Sequence, residues 1–445
     1  MRPPGAPPPP PLLLLLPLLL LAPCCQAVGR QPEQIHLSFT RDITAVTVTY
    51  STADEWETVV RYGRAQLDSQ NTGFSTLFVQ GADHHQQYIH RVNLTGLEPG
   101  EQYSYQVSGP EGWSDVFQFT AMKPGIDWSP RLVVYGDLGS VNARSLPQLE
   151  EDTQKGLYDA ALHVGDFAYD MDSHQGEVSD QFMRQIQPIA ARLPYMTCPG
   201  NHEQAGNFSN YKNRFSMPGE AESMFFSFDM GPVHFVAVSS EFYYYTSYGY
   251  GQAVNQINWM KADLRMASEP SARAQRPWIV VYGHRPMYCT NLNQDDCTKA
   301  HDLLRVGIPE RNIPGMEDLL MEYGVDLAIW AHEHSYERLW PIYNYTVYKG
   351  TVDQPYLNPG APVHITTGSA GCDENHNPFW PFRAPWSAFR SIHYGYTRMT
   401  FHNGSHMSME QVSVDGTGGV IDSIDVVKEV HRPFSQLTRT PRGYL

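Results

Sequence analysis

The chain has 445 residues, 41% of them hydrophobic and 18% charged, a balance that supplies cores for one large or two ordinary domains and excludes a disordered chain. A formal net charge of −16 argues against nucleic acid or anionic membrane surfaces as partners. Protonation of exposed members among the 18 histidines would shrink that negative balance in acid, which fits an acidic working compartment without demanding one.

Residues 1–27 read as a signal peptide. Met1-Arg2 is weakly basic, Leu12 to Leu21 is a leucine run broken only by Pro17, and Cys25-Gln26-Ala27 offers small residues for cleavage. The apolar run is about half of the roughly 20 residues that a spanning helix needs, so no stable membrane anchor is expected; a short signal anchor is the alternative. No apolar tail or retention tetrapeptide closes the chain. The expected location is secreted, with the lysosome left open. Sequons at Asn93, Asn207, Asn344 and Asn403 agree with that route, and Asn207 predicts an exposed loop.

From about 31 to 122 the chain reads as an all-β sandwich of the fibronectin III kind. Val46, Val48 and Tyr50 alternate with threonines, and Tyr103, Tyr105 and Val107 alternate with polar residues. Glu98-Pro99-Gly100 supplies a turn and Lys123-Pro124-Gly125 a linker. His84, His85 and His90 are expected on the surface or in the sheet, not as ligands.

From 128 to 400 strands alternate with helices, an α/β layered domain. Helical spacing joins Phe182, Ile186, Ile189 and Leu193, then Val254, Ile257, Met260 and Leu264, then Met316, Leu319, Leu320 and Tyr323. Residues 401–445 complete the chain as a C-terminal β segment and tail. Cys289 and Cys297 bracket a polar loop and predict a local disulfide, whereas Cys198 is left open between a bond and a buried free thiol.

Five apolar runs (Leu132 to Tyr135, Ala160 to Val164, Tyr195 to Cys198, Trp278 to Tyr282, Val325 to Trp330) read as buried parallel strands. Each ends in metal-binding side chains. The endings are Gly136-Asp137-Leu138-Gly139, Gly165-Asp166-Phe167-Ala168-Tyr169, Gly200-Asn201-His202-Glu203, Gly283-His284-Arg285-Pro286 and Ala331-His332-Glu333-His334. They are expected to meet at one sheet edge, where open α/β sheets place their sites. One such motif alone is weak; five in this order are not a coincidence.

In that order the motifs resemble the metallophosphoesterase pattern, and Tyr169, three residues after Asp166, marks the purple acid phosphatases. With the sandwich in front, the chain is similar to the long, plant-type form, also found as iron/zinc purple acid phosphatase-like proteins. The resemblance implies a calcineurin-like metallophosphoesterase catalytic domain. It puts Asp137, Asp166, Tyr169 and His334 on one metal, and Asp166 again, Asn201, His284 and His332 on the other. The first set suits Fe³⁺ and the second a divalent ion such as Zn²⁺, Fe²⁺ or Mn²⁺.

The implied reaction is acid hydrolysis of phosphate monoesters by metal-bound hydroxide, with His202 protonating the leaving group. A role for His202 in merely orienting a ligand is the alternative. Two departures stand out. Plant-type members carry a substrate-contacting histidine pair where this chain has Asn293 and Gln294; His174, His301 and His376 are nearby substitutes. Ala331 replaces a usual glycine. Arg285 and Arg338 flank ligand motifs; contact with a phosphate is one reading of them, and structural ion pairs are the expected one.

The expected partner is a small phosphorylated substrate, and a homodimer is compatible with the sequence. A phosphodiesterase or nucleotide pyrophosphatase on the same scaffold is the alternative function. A non-catalytic binding glycoprotein is disfavoured because all seven ligand residues are present.

Overall fold

The computed structural model describes residues 31–81 and 85–436, with the isolated positions 1 and 5. The expected signal peptide, those two positions aside, and His84 lie outside the described residues.

The first unit is an antiparallel β-sandwich. One sheet runs in the order Glu33–Phe39, Val46–Thr52, His85–Leu94, Phe74–Gln80; the other runs Ser69–Thr72, Val59–Gly63, Gln102–Gly109, Gly112–Trp113. Period-two alternation turns Ile35, Leu37, Val48 and Val92 of one sheet toward Val60, Tyr105 and Val107 of the other, and they form one apolar cluster. His85 lies 2.9 Å from Asp180, and His90 is buried between the Thr52 and Thr58 hydroxyls, so both are sheet histidines as expected.

The second unit is α/β. Two sheets share one hydrophobic core. The first runs Tyr195–Cys198, Ala160–Val164, Arg131–Tyr135, then Gly395–Phe401, His406–Ser413 and Gly419–Val427. The second runs Phe226–Met230, Val233–Ala237, Trp278–Tyr282, Leu327–Trp330, Val363–Thr367, Tyr336–Leu339, Ser387–Ser391. The motif-bearing strands are parallel to their motif-bearing neighbours, and four of the five are buried along their whole length.

One expectation is corrected here. The five motifs do not meet at one sheet edge: three end strands of the first sheet and two end strands of the second. Strands buried on both faces carry no alternation, and so nothing in their sequence tells which sheet each joins.

Helices cover the outer faces. Phe182, Met183, Ile186 and Ile189 form the buried stripe of Glu177–Ala190, and Ile257, Met260 and Leu264 that of Gly251–Ser268. The two units are joined through polar contacts. The Tyr105 hydroxyl donates to the Ala191 carbonyl at 2.8 Å, and buried Arg214 pairs with Asp180 at 2.7 Å while donating to Gln34. Such a pair is costly to break, because the survivor would be a buried unpaired charge. Among the described residues, no helix is long and apolar enough to cross a membrane.

Candidate metal centre

The ends of the motif strands turn sharply. Asp137, Asp166, Tyr169 and His332 have φ of 58°, 50°, 61° and 68°, left-handed values that cost a non-glycine residue about 1 kcal/mol or more. Four of the seven candidate ligands therefore hold strained backbone, which the buried strands behind them enforce. Glycine is needed beside them: a Cβ at Gly200 would stand 2.1 Å from Asp166 Oδ1. Ala331 is accommodated because its partner across the seam is Gly136, where a Cβ would come within 2.4 Å of the Ala331 methyl.

Asp137, Tyr169 and His334 converge. The Tyr169 hydroxyl donates to Asp137 Oδ1 at 3.2 Å and lies 2.8 Å from His334 Nε2, which is 3.5 Å from the same carboxylate oxygen. His334 Nδ1 donates to the Asn375 carbonyl at 2.8 Å, which leaves Nε2 facing the cluster. Burial, then the carboxylates of Asp137 and Asp166, push the Tyr169 phenol well above its usual range. Burial opposes charge on His334, yet its hydrogen bond with Asp137 carries it up to about 12.

Asp166, Asn201, His284 and His332 form the second group. His284 Nε2 is 3.0 Å from Asp166 Oδ2 and 3.2 Å from Asn201 Oδ1, while its Nδ1 donates to the Val164 carbonyl at 2.9 Å. The His284 and His332 ring centroids are 5.0 Å apart, and ligand atoms of Asp166, His284 and His332 all lie within 4.8 Å of one another. Against the cost of complete burial, the His284 ring holds Asp166 well below the usual carboxylate range, and Asp166 in turn raises His284 to about 10.

In both groups a main-chain carbonyl consumes one imidazole N–H and aims the other nitrogen at anionic or amide oxygens. Such a cage is short of positive charge. A proton or a metal cation answers that need, and oxygen-rich and imidazole-rich donor sets fit hard and borderline cations respectively. The groups are tied together by His332 N, which donates to Asp137 Oδ2 at 2.9 Å; His202 N donates to Asp166 Oδ1 at 3.0 Å.

His202 stands beside the groups without joining either. Its Nδ1 donates to Asp170 Oδ1 at 2.9 Å, and its Nε2 is 3.6 Å from Glu374 and 4.0 Å from Asp166 Oδ2. Burial disfavours its charged form, but Asp166 and Asp170 outweigh that and raise its pKa.

Sequence reasoning missed several supporting residues. Glu203 is buried and accepts from the backbone N–H groups of Asp166, Phe167 and Gly200 at 3.0, 3.0 and 2.8 Å. Burial and nearby Asp166 push its carboxyl up to about 7. Cys372 is a buried free thiol with Sγ 3.4 Å from His334 Nδ1. Asp295 reaches His332. Only Glu203 lay within a motif; the others come from loops with no local signal.

Arg285 and Arg338 are in ion pairs, as expected. Arg285 binds Glu241 at 2.9 Å, and Arg338 binds Asp422 at 2.7 Å. Cys289 and Cys297 are disulfide-bonded, and Cys198 is a buried free thiol. Of the histidines near the site in sequence, His376 is brought beside it by the Asn375 and Asn377 contacts to His334, whereas His301 is exposed. Asn293 donates to Glu333 Oε2 at 2.9 Å. At Asn207 the expected break in regular structure is present, with Gly206, Asn207 and Phe208 at φ 59°, 56° and 64°, but the expected exposure is not. Asn207 lies partly buried within Ala205–Arg214, because Phe208 packs fully buried against Phe242, Tyr245 and Tyr248.

Comparison with known proteins gives three family matches along the chain: "Purple acid Phosphatase, N-terminal domain" at 32–121, "Calcineurin-like phosphoesterase" at 130–336 and "Iron/zinc purple acid phosphatase-like protein C" at 361–423. The chain is 50% identical over 413 residues to acid phosphatase type 7 of Danio rerio, covering 91% of this chain and 93% of the relative. It is 50% identical over 401 residues to acid phosphatase type 7 of Homo sapiens, covering 89% and 91%. Its fold is similar to that of a purple acid phosphatase from yellow lupin (Lupinus luteus) seeds, with TM-score 0.73 and 23% identity over 89% of this chain and 74% of that one.

Proposed function

The chain belongs to the purple acid phosphatase family and is a metal-dependent acid phosphatase, a phosphoric monoester hydrolase; from that premise we propose that its two donor groups hold a dinuclear Fe³⁺/M²⁺ centre. Asp137, Asp166, Tyr169 and His334 take Fe³⁺, whose hard charge matches two carboxylates and a phenolate. Asp166 is shared, and with Asn201, His284 and His332 takes the divalent ion, Zn²⁺, Fe²⁺ or Mn²⁺. The observation that carries this reading is the pair of imidazoles, His284 and His334, each anchored through Nδ1 to a carbonyl with Nε2 turned to acidic oxygens.

When bound, the metal pair supplies Lewis acidity, polarising the phosphoryl group and acidifying a water. The chain's own residues position and protonate. Asp170 occupies His202 Nδ1, so Nε2 is the nitrogen that delivers a proton to the departing alkoxide. Glu203 holds the Asp166 and Gly200 turns in place through their N–H groups. The substrate is a small phosphate monoester.

We further read residues 1–27 as directing the protein into the secretory pathway. Exposed Asn93, Asn344 and Asn403 support that route as glycan acceptors.

The test is metal analysis of purified protein with paired assays on nitrophenyl phosphate and its bis-ester. Iron with a second metal and a preference for the monoester are expected. A preference for the bis-ester transfers the site to the phosphodiesterase reading, and magnesium or manganese alone, without colour, removes the Fe³⁺ assignment.

A further inference from the structure

His332 Nε2 faces two opposed groups at once. Asp295 Oδ2, an acceptor, lies 2.7 Å away, and Arg285 Nη1, a donor, lies 3.0 Å away. An ionised carboxylate can only accept a hydrogen bond and a guanidinium can only donate one, so the nitrogen satisfies one of them. The choice fixes the other end of the ring. If Nε2 carries the hydrogen and gives it to Asp295, Nδ1 keeps its lone pair and is free to bind a cation. If Nε2 accepts from Arg285, the neutral ring carries its hydrogen on Nδ1 and presents N–H instead.

We propose that Asp295 is the positioning residue that selects the metal-binding tautomer of His332 against the competing Arg285. This rests on the reading of His332 as a ligand of the divalent ion. The loop that carries Asp295 is built to present it. The Cys289–Cys297 disulfide closes the loop, Asn293 donates to Glu333 between the two ligand histidines, and Asp295 Oδ1 accepts from Asp296 N at 2.6 Å. Arg285 is itself held by Glu241 at 2.9 Å and Asp296 at 3.3 Å, and its Nη1 lies 3.9 Å from Asp295 Oδ1, so its charge has carboxylate partners other than the ring. A loop that the family resemblance assigns to substrate contact thus supports the metal site from outside. Carboxylates paired with ligand histidines in this way typically strengthen metal binding by roughly 10–100-fold.

The experiment compares full-length wild type, Asp295→Ala, Asp295→Asn and His332→Ala, each isolated with its metals and dialysed against a graded series of chelator. Retained iron and divalent metal are then measured. Asp295→Ala should release the divalent ion at a chelator concentration at least tenfold lower than wild type while keeping its iron. Asp295→Asn, whose carbonyl accepts the same hydrogen, should stay within about threefold of wild type. If Asp295→Ala holds its divalent ion like wild type while His332→Ala loses it, the role of Asp295 is overturned and the ligand reading stands. If His332→Ala also keeps the ion, the ligand reading itself falls. Equal loss in the asparagine and alanine variants overturns tautomer selection in favour of simple charge. Where the alanine variant does not fold, Asp295→Ser, too short to reach the ring, takes its place.

Discussion

Tyr169 and His334 stand 165 positions apart in the chain, yet the phenol oxygen lies 2.8 Å from the imidazole Nε2. Asp137 completes the contact, and a phenol in these surroundings ionises only against a strong positive charge. Tyr169→Phe is therefore expected to abolish a visible charge-transfer band while leaving the fold intact. Absorption spectra and iron content of the two proteins check this. A band that survives the substitution would remove Tyr169 from the metal.

His202→Ala should slow turnover by about 10²–10⁴-fold for alkyl phosphates, whose leaving groups need a proton, and much less for nitrophenyl phosphate. Metal content should stay normal. Leaving-group dependence of kcat alongside metal analysis decides the matter, since lost metal would make His202 a support for the ligands.

Glu203 holds three buried N–H groups, all at the turns that present Asp166 and Asn201. Glu203→Ala leaves these donors unsatisfied and should cost about 2–4 kcal/mol in urea unfolding. Glu203→Gln keeps one acceptor oxygen and should cost less. Equal stability of all three proteins would show that water replaces the carboxylate.

His234, on a strand that bears no ligand motif, stands between Asp229 at 2.7 Å and Asp263 at 2.9 Å. Burial opposes its charge, but the two carboxylates prevail and raise its pKa from 6.5 to about 9. A folded value above the unfolded one stabilises fully below about pH 6.5, and the contribution is lost as pH rises through about 9. His234→Gln should therefore lose on the order of 2 kcal/mol at pH 5–6 and nothing measurable near pH 10. Unfolding of both proteins across that range reads it directly; a pH-independent difference would mean packing, not charge.

Much of the site was legible in the chain because each ligand motif terminates its own apolar run, and short uninterrupted runs of Val, Ile and Tyr have few alternatives to a buried strand. The motif endings carry Asp137, Asp166, Tyr169, Asn201, His284, His332 and His334, and it is the family resemblance that implies their division between two metals. What the pattern lacks is partnership. Asp295 meets His332 across 37 residues, and Cys372 meets His334 across 38, through loops with no period to read. The division of the strands between two sheets was hidden for a related reason, since a strand buried on both faces looks the same in either. Asn207 misled because a sequon describes only three residues, whereas Phe208 within it is drawn into an aromatic cluster.

Asp137, Asp166 and Asn201 follow strands of one sheet, while His284, His332 and His334 follow strands of the other. On the ligand assignment proposed above, the ions rivet two halves of one core, and the sheets cannot part until the rivets leave. Metal supply then becomes a term in folding: one ion at a hundred times its dissociation constant adds about 2.7 kcal/mol. A chain deprived of iron or zinc would lose durability along with activity, and proteases would be the first to find it.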